Sequence, residues 1–284
     1  MSAPVVSPAR AEVGASPRWA VVLGSSAGSG LAIARAASLD CGMNLFGVHR
    51  GNHPDAARAL AEEVVAAGRR AETHLDDAGT AEAAERGADE LLRVAGPRSV
   101  GFFVHSLANA SLGRFLGDGT RGPLVPRQFE KTFASMAHSF VYWVQAMVAR
   151  DLLAPGARIL ALTNPLHESL IGHCALVAAS KAALEMYVRH LAFELGPRGH
   201  RVNLLKFATV VTPAVEKVYG ADELERVEAI HRAITPAGRM CTTEEVGRFA
   251  GLLLDPRAEW MNGATVDFTG AMTQTLLDFA LVRR

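Results

Sequence analysis

The sequence predicts an α/β protein: a single domain built on a doubly wound, parallel, seven-stranded sheet. Three observations predict it. Seven short apolar runs alternate with helix-forming stretches along nearly the whole chain. Most of those runs are continuously apolar rather than alternating, as expected of strands covered on both faces. A glycine-rich turn follows the first run and opens a helix, the arrangement of a βαβ unit. The length of 284 residues, with 49% hydrophobic and 20% charged residues, suits one domain with a well-buried core.

Residues 1–17 (MSAPVVSPARAEVGASP) are rich in Ala, Pro and Ser and are expected to form a mobile tail. They lack the continuous apolar stretch of a secretory signal. The single domain is then expected over 18–284. Its strands are predicted at 19–23 (WAVVL), 43–49 (MNLFGVH), 71–75 (AETHL), 100–105 (VGFFVH), 157–163 (ARILALT), 201–206 (RVNLLK) and 264–268 (ATVDF). Among the helices, PDAARALAEEVVAAG starts on Pro54 and stops at Gly68, a proper start and stop. TAEAAERGADELLRVAG, the stretch 129–153 and the stretch 173–195 read similarly. Two regions break the rhythm. Residues 111–128, with four Gly, two Pro and three Arg, read as an irregular loop. Residues 207–240 contain one helical piece, DELERVEAIHRAI. Both follow strands at the end of the sheet where open α/β folds bind ligands, so both are expected to wall a substrate pocket.

Charge and cysteine content exclude several classes. Lys+Arg 29 against Asp+Glu 29 leaves no net charge, hence no electrostatic footprint for a nucleic-acid backbone or an anionic membrane. No apolar run approaches the ~20 residues of a spanning helix. Cys41, Cys174 and Cys241 are far apart and odd in number, which argues for a reducing, cytoplasmic setting rather than a disulfide framework. No Cys/His cluster has metal-ligand spacing.

The loop Gly24-Ser25-Ser26-Ala27-Gly28-Ser29-Gly30, leading into Leu31, carries the first chemical signal. Its glycines permit a tight turn and let backbone amides approach a pyrophosphate at a helix N-terminus. The alternative is a purely structural turn. The second strand then ends His49-Arg50-Gly51-Asn52, with no carboxylate before Asp55. An acidic residue there would bind the ribose hydroxyls of NAD, whereas a guanidinium suits a 2′-phosphate, so NADPH is the expected cofactor.

G-x-x-x-G-x-G after the first strand, the seven-strand pattern, and Ser180-Lys181-Ala-Ala-Leu-Glu in a helix resemble the short-chain dehydrogenase/reductase family. The likeness covers about residues 18–272. Val104-His105-Ser106-Leu107-Ala108 and Thr235-Pro-Ala-Gly-Arg239 resemble its enoyl-reductase branch, and Thr235–Arg239 with Val266-Asp267 resembles the family's C-terminal third. The resemblance implies that Asp76 and Asp77 frame the adenine and that Ser106 and Leu107 line the cofactor. It also implies that Thr212 meets the nicotinamide or phosphate end and that Lys181 binds the nicotinamide ribose. A homodimer or homotetramer is implied too, with the apolar segment AMTQTLLDFALV as a candidate contact.

The family's proton machinery is not where the resemblance puts it. Members share an Asn, Ser, Tyr and Lys. An ordinary member places Tyr four residues before the lysine, where Val177 stands; enoyl reductases place it seven before, where Cys174 stands. The serine position is Asn164, and the asparagine position falls on Met136. Tyr142, Tyr187 and Tyr219 match neither register. Cys174 reads either as packing or as a thiol acid, and His105 as structural. Lys181 and Asn164 are therefore the expected catalytic pair, Asn164 as a neutral donor to the substrate carbonyl.

Three functions fit. The first is an NADPH-dependent ketoreductase whose aromatic substrate supplies the missing proton from a phenol beside its carbonyl. That resembles atypical reductases of aromatic polyketides such as angucyclinones, which lack the catalytic Ser and Tyr. The second is an enoyl thioester reductase. The third is a catalytically silent NADP-binding protein.

Overall fold

A computed structural model describes residues 18–168 and 170–282; the tail expected at 1–17 lies outside the described residues. Seven parallel strands form one sheet in the order β3-β2-β1-β4-β5-β6-β7. They are β1 (Trp19–Leu23), β2 (Asn44–His49), β3 (Ala71–Leu75), β4 (Val100–His105), β5 (Leu153–Thr163), β6 (Arg201–Phe207) and β7 (Thr265–Phe268). This is a Rossmann-type doubly wound sheet.

The continuous apolar runs have a direct cause. In β1, Val21 and Leu23 face one layer and meet Phe103, Phe140 and Trp143; Ala20 and Val22 face the other and meet Ile33 and Val246. Every residue of β1, β2 and β4 is buried, so neither face tolerates a polar alternation. One layer holds α3 (Ala81–Ala95), α5 (Ser139–Ala149) and α6 (Ala175–Leu195). The other holds α1 (Gly28–Arg35), α2 (Pro54–Ala66) and α9 (Thr243–Leu252). Local signals set the helix ends. Thr80 accepts from the Ala83 amide at the start of α3, and Gly96 takes φ +77 to end it. Thr242 and Glu245 form a capping box on α9.

Three stretches differ from expectation. The helix expected over 129–153 begins earlier, as α4 (Pro126–Phe133), passes through a π turn at Ala134–His138 and continues as α5. It stops because Asp151 takes φ +50, and β5 then starts at Leu153 rather than 157. A register shift against β4 between Val100 and Phe102 absorbs the extra residues, including Pro155 and Gly156. Region 207–240 holds two helices rather than one, α7 (Pro213–Tyr219) and α8 (Leu224–Ile234). α10 (Met272–Leu281) closes the chain.

The order reverses at β1, whose neighbours are β2 and β4. The crevice beyond the carboxyl ends of these strands is the ligand site of open α/β sheets. The glycine loop after β1, Arg50 after β2 and Ser106 after β4 all emerge there.

Candidate active site

A cavity of about 750 Å³ opens at that switch point. Its two halves differ in chemistry. The half above β1 and β2 is built of backbone and small polar side chains. Gly24 has φ +82, and a Cβ there would stand 2.5 Å from the Ser106 carbonyl oxygen. A Cβ on Gly30 would stand 2.2 Å from the Gly24 carbonyl oxygen. The loop is therefore folded against itself and against the end of β4, and no side chain fits between. It delivers the N-terminus of α1 to the cavity, the cradle a pyrophosphate requires.

Most of the residues expected at the cofactor meet here. Gly24, Ser26, Gly28, Ser29, Arg50, Asp76, Asp77, Ser106, Leu107, Lys181 and Thr212 all line the cavity. Ser25, Gly30 and Leu31 do not. Ser25 is buried under the loop, with its hydroxyl against Gly47, and Leu31 packs toward the α1–α9 layer. These three shape the turn rather than its wall. At the end of β2 the residues present fit a 2′-phosphate: Arg50 is exposed on the cavity rim beside His49, Asn52 and His53. Asp76 is gripped by Arg86, with Nε at 2.9 Å and Nη2 at 3.0 Å. Burial pushes its carboxyl up, but the Arg86 bonds, the Asp77 amide and nearby positive charge outweigh this and hold it below the usual range.

The half beyond β4–β6 is mainly apolar. Met136, Cys174 and Val177 are buried together, with Leu112, Leu166, Ile171 and Val218 packed on them. The π turn between α4 and α5 brings Ser135 and Met136 to this wall. Region 207–240 supplies much of the rest, from Phe207 through α7 to Ile230 and Ile234 on α8. The loop 111–128 supplies only Leu112 among the described residues. It is stitched instead to the start of α6, the Gly113 amide donating to His173 O at 2.8 Å.

Lys181 stands between the two halves. It is 5% exposed, and its Nζ donates to the Leu162 carbonyl at 2.8 Å. Burial lowers its pKa to about 8. Asn164, at the end of β5, caps the turn at Pro165–His167 by accepting from the Leu166 amide at 3.1 Å, which leaves its Nδ2 as a donor. Both line the cavity. Cys174 is 1% exposed, and burial pushes its thiol up to about 11. His173 is turned away, its Nε2 donating to Val218 O at 3.2 Å. His105 is fully buried, with Nε2 at 2.8 Å from the Ser139 hydroxyl and its pKa lowered by burial, and by the Lys181 charge, to about 3. It stays neutral at any working pH. Tyr187 bonds His138 at 3.0 Å away from the cavity.

Among the lining residues that sequence reasoning passed over are Tyr219, Thr209 and His231. Tyr219 had a readable signal. Thr212-Pro213 is a helix start, and Val215, Val218 and Tyr219 follow at helical spacing on one face. Among the described residues no group of three or more His, Cys, Asp or Glu side chains could hold a metal, and no helix is long and apolar enough to cross a membrane.

The fold and this site define a dinucleotide-binding α/β protein with a lysine between cofactor cradle and apolar chamber. A family profile described as enoyl-(acyl carrier protein) reductase matches residues 24–273. The chain belongs to the short-chain dehydrogenase/reductase family, in the enoyl-reductase-like group of that profile. It is 30% identical over 174 residues to the enoyl-[acyl-carrier-protein] reductase [NADH] of Escherichia coli, covering 60% of this chain and 63% of that one. It is 32% identical over 126 residues to the hydroxynaphthalene reductase of Aspergillus fumigatus, covering 42% and 46%. These matches span less than two thirds of either relative. A short-chain dehydrogenase from Burkholderia cenocepacia, solved in complex with NADP, shares the fold with a TM-score of 0.77 at 22% identity, covering 90% of this chain and 97% of that one.

Proposed function

We propose that the protein is an NADPH-dependent ketoreductase acting on a carbonyl of an aromatic polyketide-type substrate, with the proton supplied by the substrate. One observation carries the reading: the buried Lys181 faces a large apolar chamber in which α6 presents Val177 and Cys174 rather than a tyrosine. The likeness to a hydroxynaphthalene reductase supports an aromatic substrate.

The roles follow from placement. The amides of the glycine loop and the N-terminus of α1 hold the pyrophosphate, Arg50 meets the 2′-phosphate, and Asp76 and Asp77 border the adenine. Ser106, Leu107 and Thr212 line the path to the chamber. Lys181 holds the nicotinamide ribose and sets positive charge near the carbonyl oxygen. Bound NADPH supplies a hydride, so negative charge develops on that oxygen and a proton is required. Val177 has none to give, and the Cys174 thiol is held in an apolar cluster with its pKa raised. The Asn164 amide orients the carbonyl without releasing a proton. A phenol beside the carbonyl supplies it at high effective molarity, on the order of 10⁵ M or more when well oriented. A cytoplasmic setting fits the three free cysteines. A homo-oligomer fits the outer face of α10, where Leu277 and Leu281 are exposed; its inner face, with Met272 and Leu276, walls the chamber.

The family profile and the Escherichia coli relative favour a second reading, an enoyl thioester reductase. A silent NADP-binding protein is the third. Incubation with NADPH and either hydroxyaryl ketones or a crotonyl thioester, with products identified by mass spectrometry, separates them. An alcohol from the ketone is the expected result. A saturated thioester promotes the second reading, and cofactor binding with no product from either promotes the third.

A further inference from the structure

Tyr219, at the end of α7, is the one phenol lining the chamber among the described residues. Its position is built from three sides. Thr212 caps α7 and presses on the glycine loop, since a Cβ on Gly28 would stand 2.9 Å from Thr212 Cγ2. Next to Tyr219, the Val218 carbonyl accepts from His173 Nε2, and the Val218 side chain packs on the Met136–Cys174–Val177 cluster. The Tyr219 side chain lines the chamber together with Thr209 and Cys174. That is the position from which an acid seven residues before Lys181 would act. α7 therefore brings a hydroxyl to a wall where the start of α6 offers Val177 and the thiol of its cap residue Cys174.

We infer that Tyr219 is the chain's own proton donor in this chamber, hydrogen-bonding the phenolic oxygen of the substrate and replacing the proton which that phenol gives up. The inference rests on the substrate-assisted reading above. Hydride from NADPH forms the new C–H bond while the C=O π pair moves to oxygen. The substrate phenol's O–H breaks and its proton goes to the alkoxide. The Tyr219 O–H then breaks, its proton goes to the substrate phenolate, and tyrosinate regains a proton from water. Ketone, NADPH and a proton become alcohol and NADP⁺. Two phenols share a pKa of ~10 in water, and burial in one chamber pushes both up, so a proton passes between them at little cost. A phenol–phenolate hydrogen bond is charge-assisted and hence strong. Burial raises the Tyr219 phenol, which keeps it protonated until a phenolate forms beside it.

The test is Tyr219→Phe, read in two ways against a hydroxyaryl ketone and its methyl ether. First, affinity for the cofactor-free protein is followed through the ligand's own ultraviolet absorption. Tyr219→Phe is expected to weaken binding of the free phenol roughly tenfold and to leave the ether unchanged, the loss of one good hydrogen bond. Second, kcat with NADPH on the free phenol is expected to fall on the order of a hundredfold, the scale of general acid catalysis, while NADPH affinity stays within about twofold. If Tyr219→Phe stays within about threefold of the wild type in both readouts, the inference is overturned. The parent reading is tested separately by the wild type on the ether. If the ether is reduced as fast as the phenol, substrate assistance fails. A similar loss by Tyr219→Phe on both ketones then keeps Tyr219 as donor, delivering directly to the alkoxide, and no loss on either removes it.

Discussion

Lys181 Nζ and the Leu162 carbonyl oxygen lie 2.8 Å apart, joining a buried ammonium on α6 to the end of β5 at the boundary between cradle and chamber. A cation buried beside an apolar wall is costly unless a ligand uses it. Its protonation is coupled to folding. Burial lowers the folded-state pKa of Lys181 to about 8 from 10.5. Between those values the unfolded chain binds more protons, so stability rises with pH through that window. Below about pH 8 both states are charged and folding bears the full penalty, on the order of 3 kcal/mol.

Lys181→Met is therefore expected to be more stable than the wild type at pH 7, by roughly 1–3 kcal/mol after loss of the Leu162 hydrogen bond. The gap should close by about pH 10.5. Denaturant unfolding of the cofactor-free proteins at both pH values checks this. The same variant should lose turnover by a hundredfold or more, on the order expected for lost positioning and charge stabilisation. A gap that widens toward high pH contradicts the assignment.

Wild-type turnover should fall as pH rises through about 8, because the deprotonated Lys181 no longer places positive charge near the carbonyl oxygen. A pH profile of kcat/KM shows this as a descending limb that Lys181→Met lacks.

Arg50 should set the choice of nucleotide. Arg50→Asp removes the guanidinium and brings a carboxylate to the end of β2, which repels a 2′-phosphate and suits free ribose hydroxyls. NADPH affinity should drop tenfold or more relative to NADH, about 1.4 kcal/mol per decade. Fluorescence titration with each nucleotide measures the ratio; an unchanged ratio places the phosphate elsewhere.

Cys174→Ala should leave turnover within a few-fold and the pH profile unshifted, because the thiol packs among Met136 and Val177 with its pKa pushed up to about 11. Steady-state NADPH oxidation decides it. A hundredfold loss makes the thiol the acid.

The fold was legible because the strands are buried on both faces, and a run such as VGFFVH is apolar at successive positions only where both faces are covered. The cradle was legible for the same kind of reason: Gly24 and Gly30 leave no room for a Cβ, so local sequence and tertiary contact demand the same residue. Ser25 shows the limit of that reading. Spacing puts it in the loop, but whether it faces the ligand or Gly47 depends on β2. The split of the 129–153 helix was hidden because a π turn changes the number of residues per turn without changing composition. α7 was hidden by its length, since the Thr212-Pro213 start is followed by a single i, i+3, i+4 set, Val215, Val218 and Tyr219, and one such set does not by itself separate a helix from a loop. Tyr219 went unassigned for that reason, its place in the chamber being set by the contacts of the neighbouring Val218 with His173 and with the Met136–Cys174–Val177 cluster rather than by its own helix.

The central claim is that the substrate, rather than a residue on α6, protonates the reduced carbonyl. It is tested most directly by the wild-type kcat/KM with NADPH for a ketone bearing an adjacent phenol and for the same ketone with that phenol methylated. The expected result is that methylation lowers the rate by a hundredfold or more, the order set by losing a well-oriented internal donor. Equal rates for the two ketones contradict the claim.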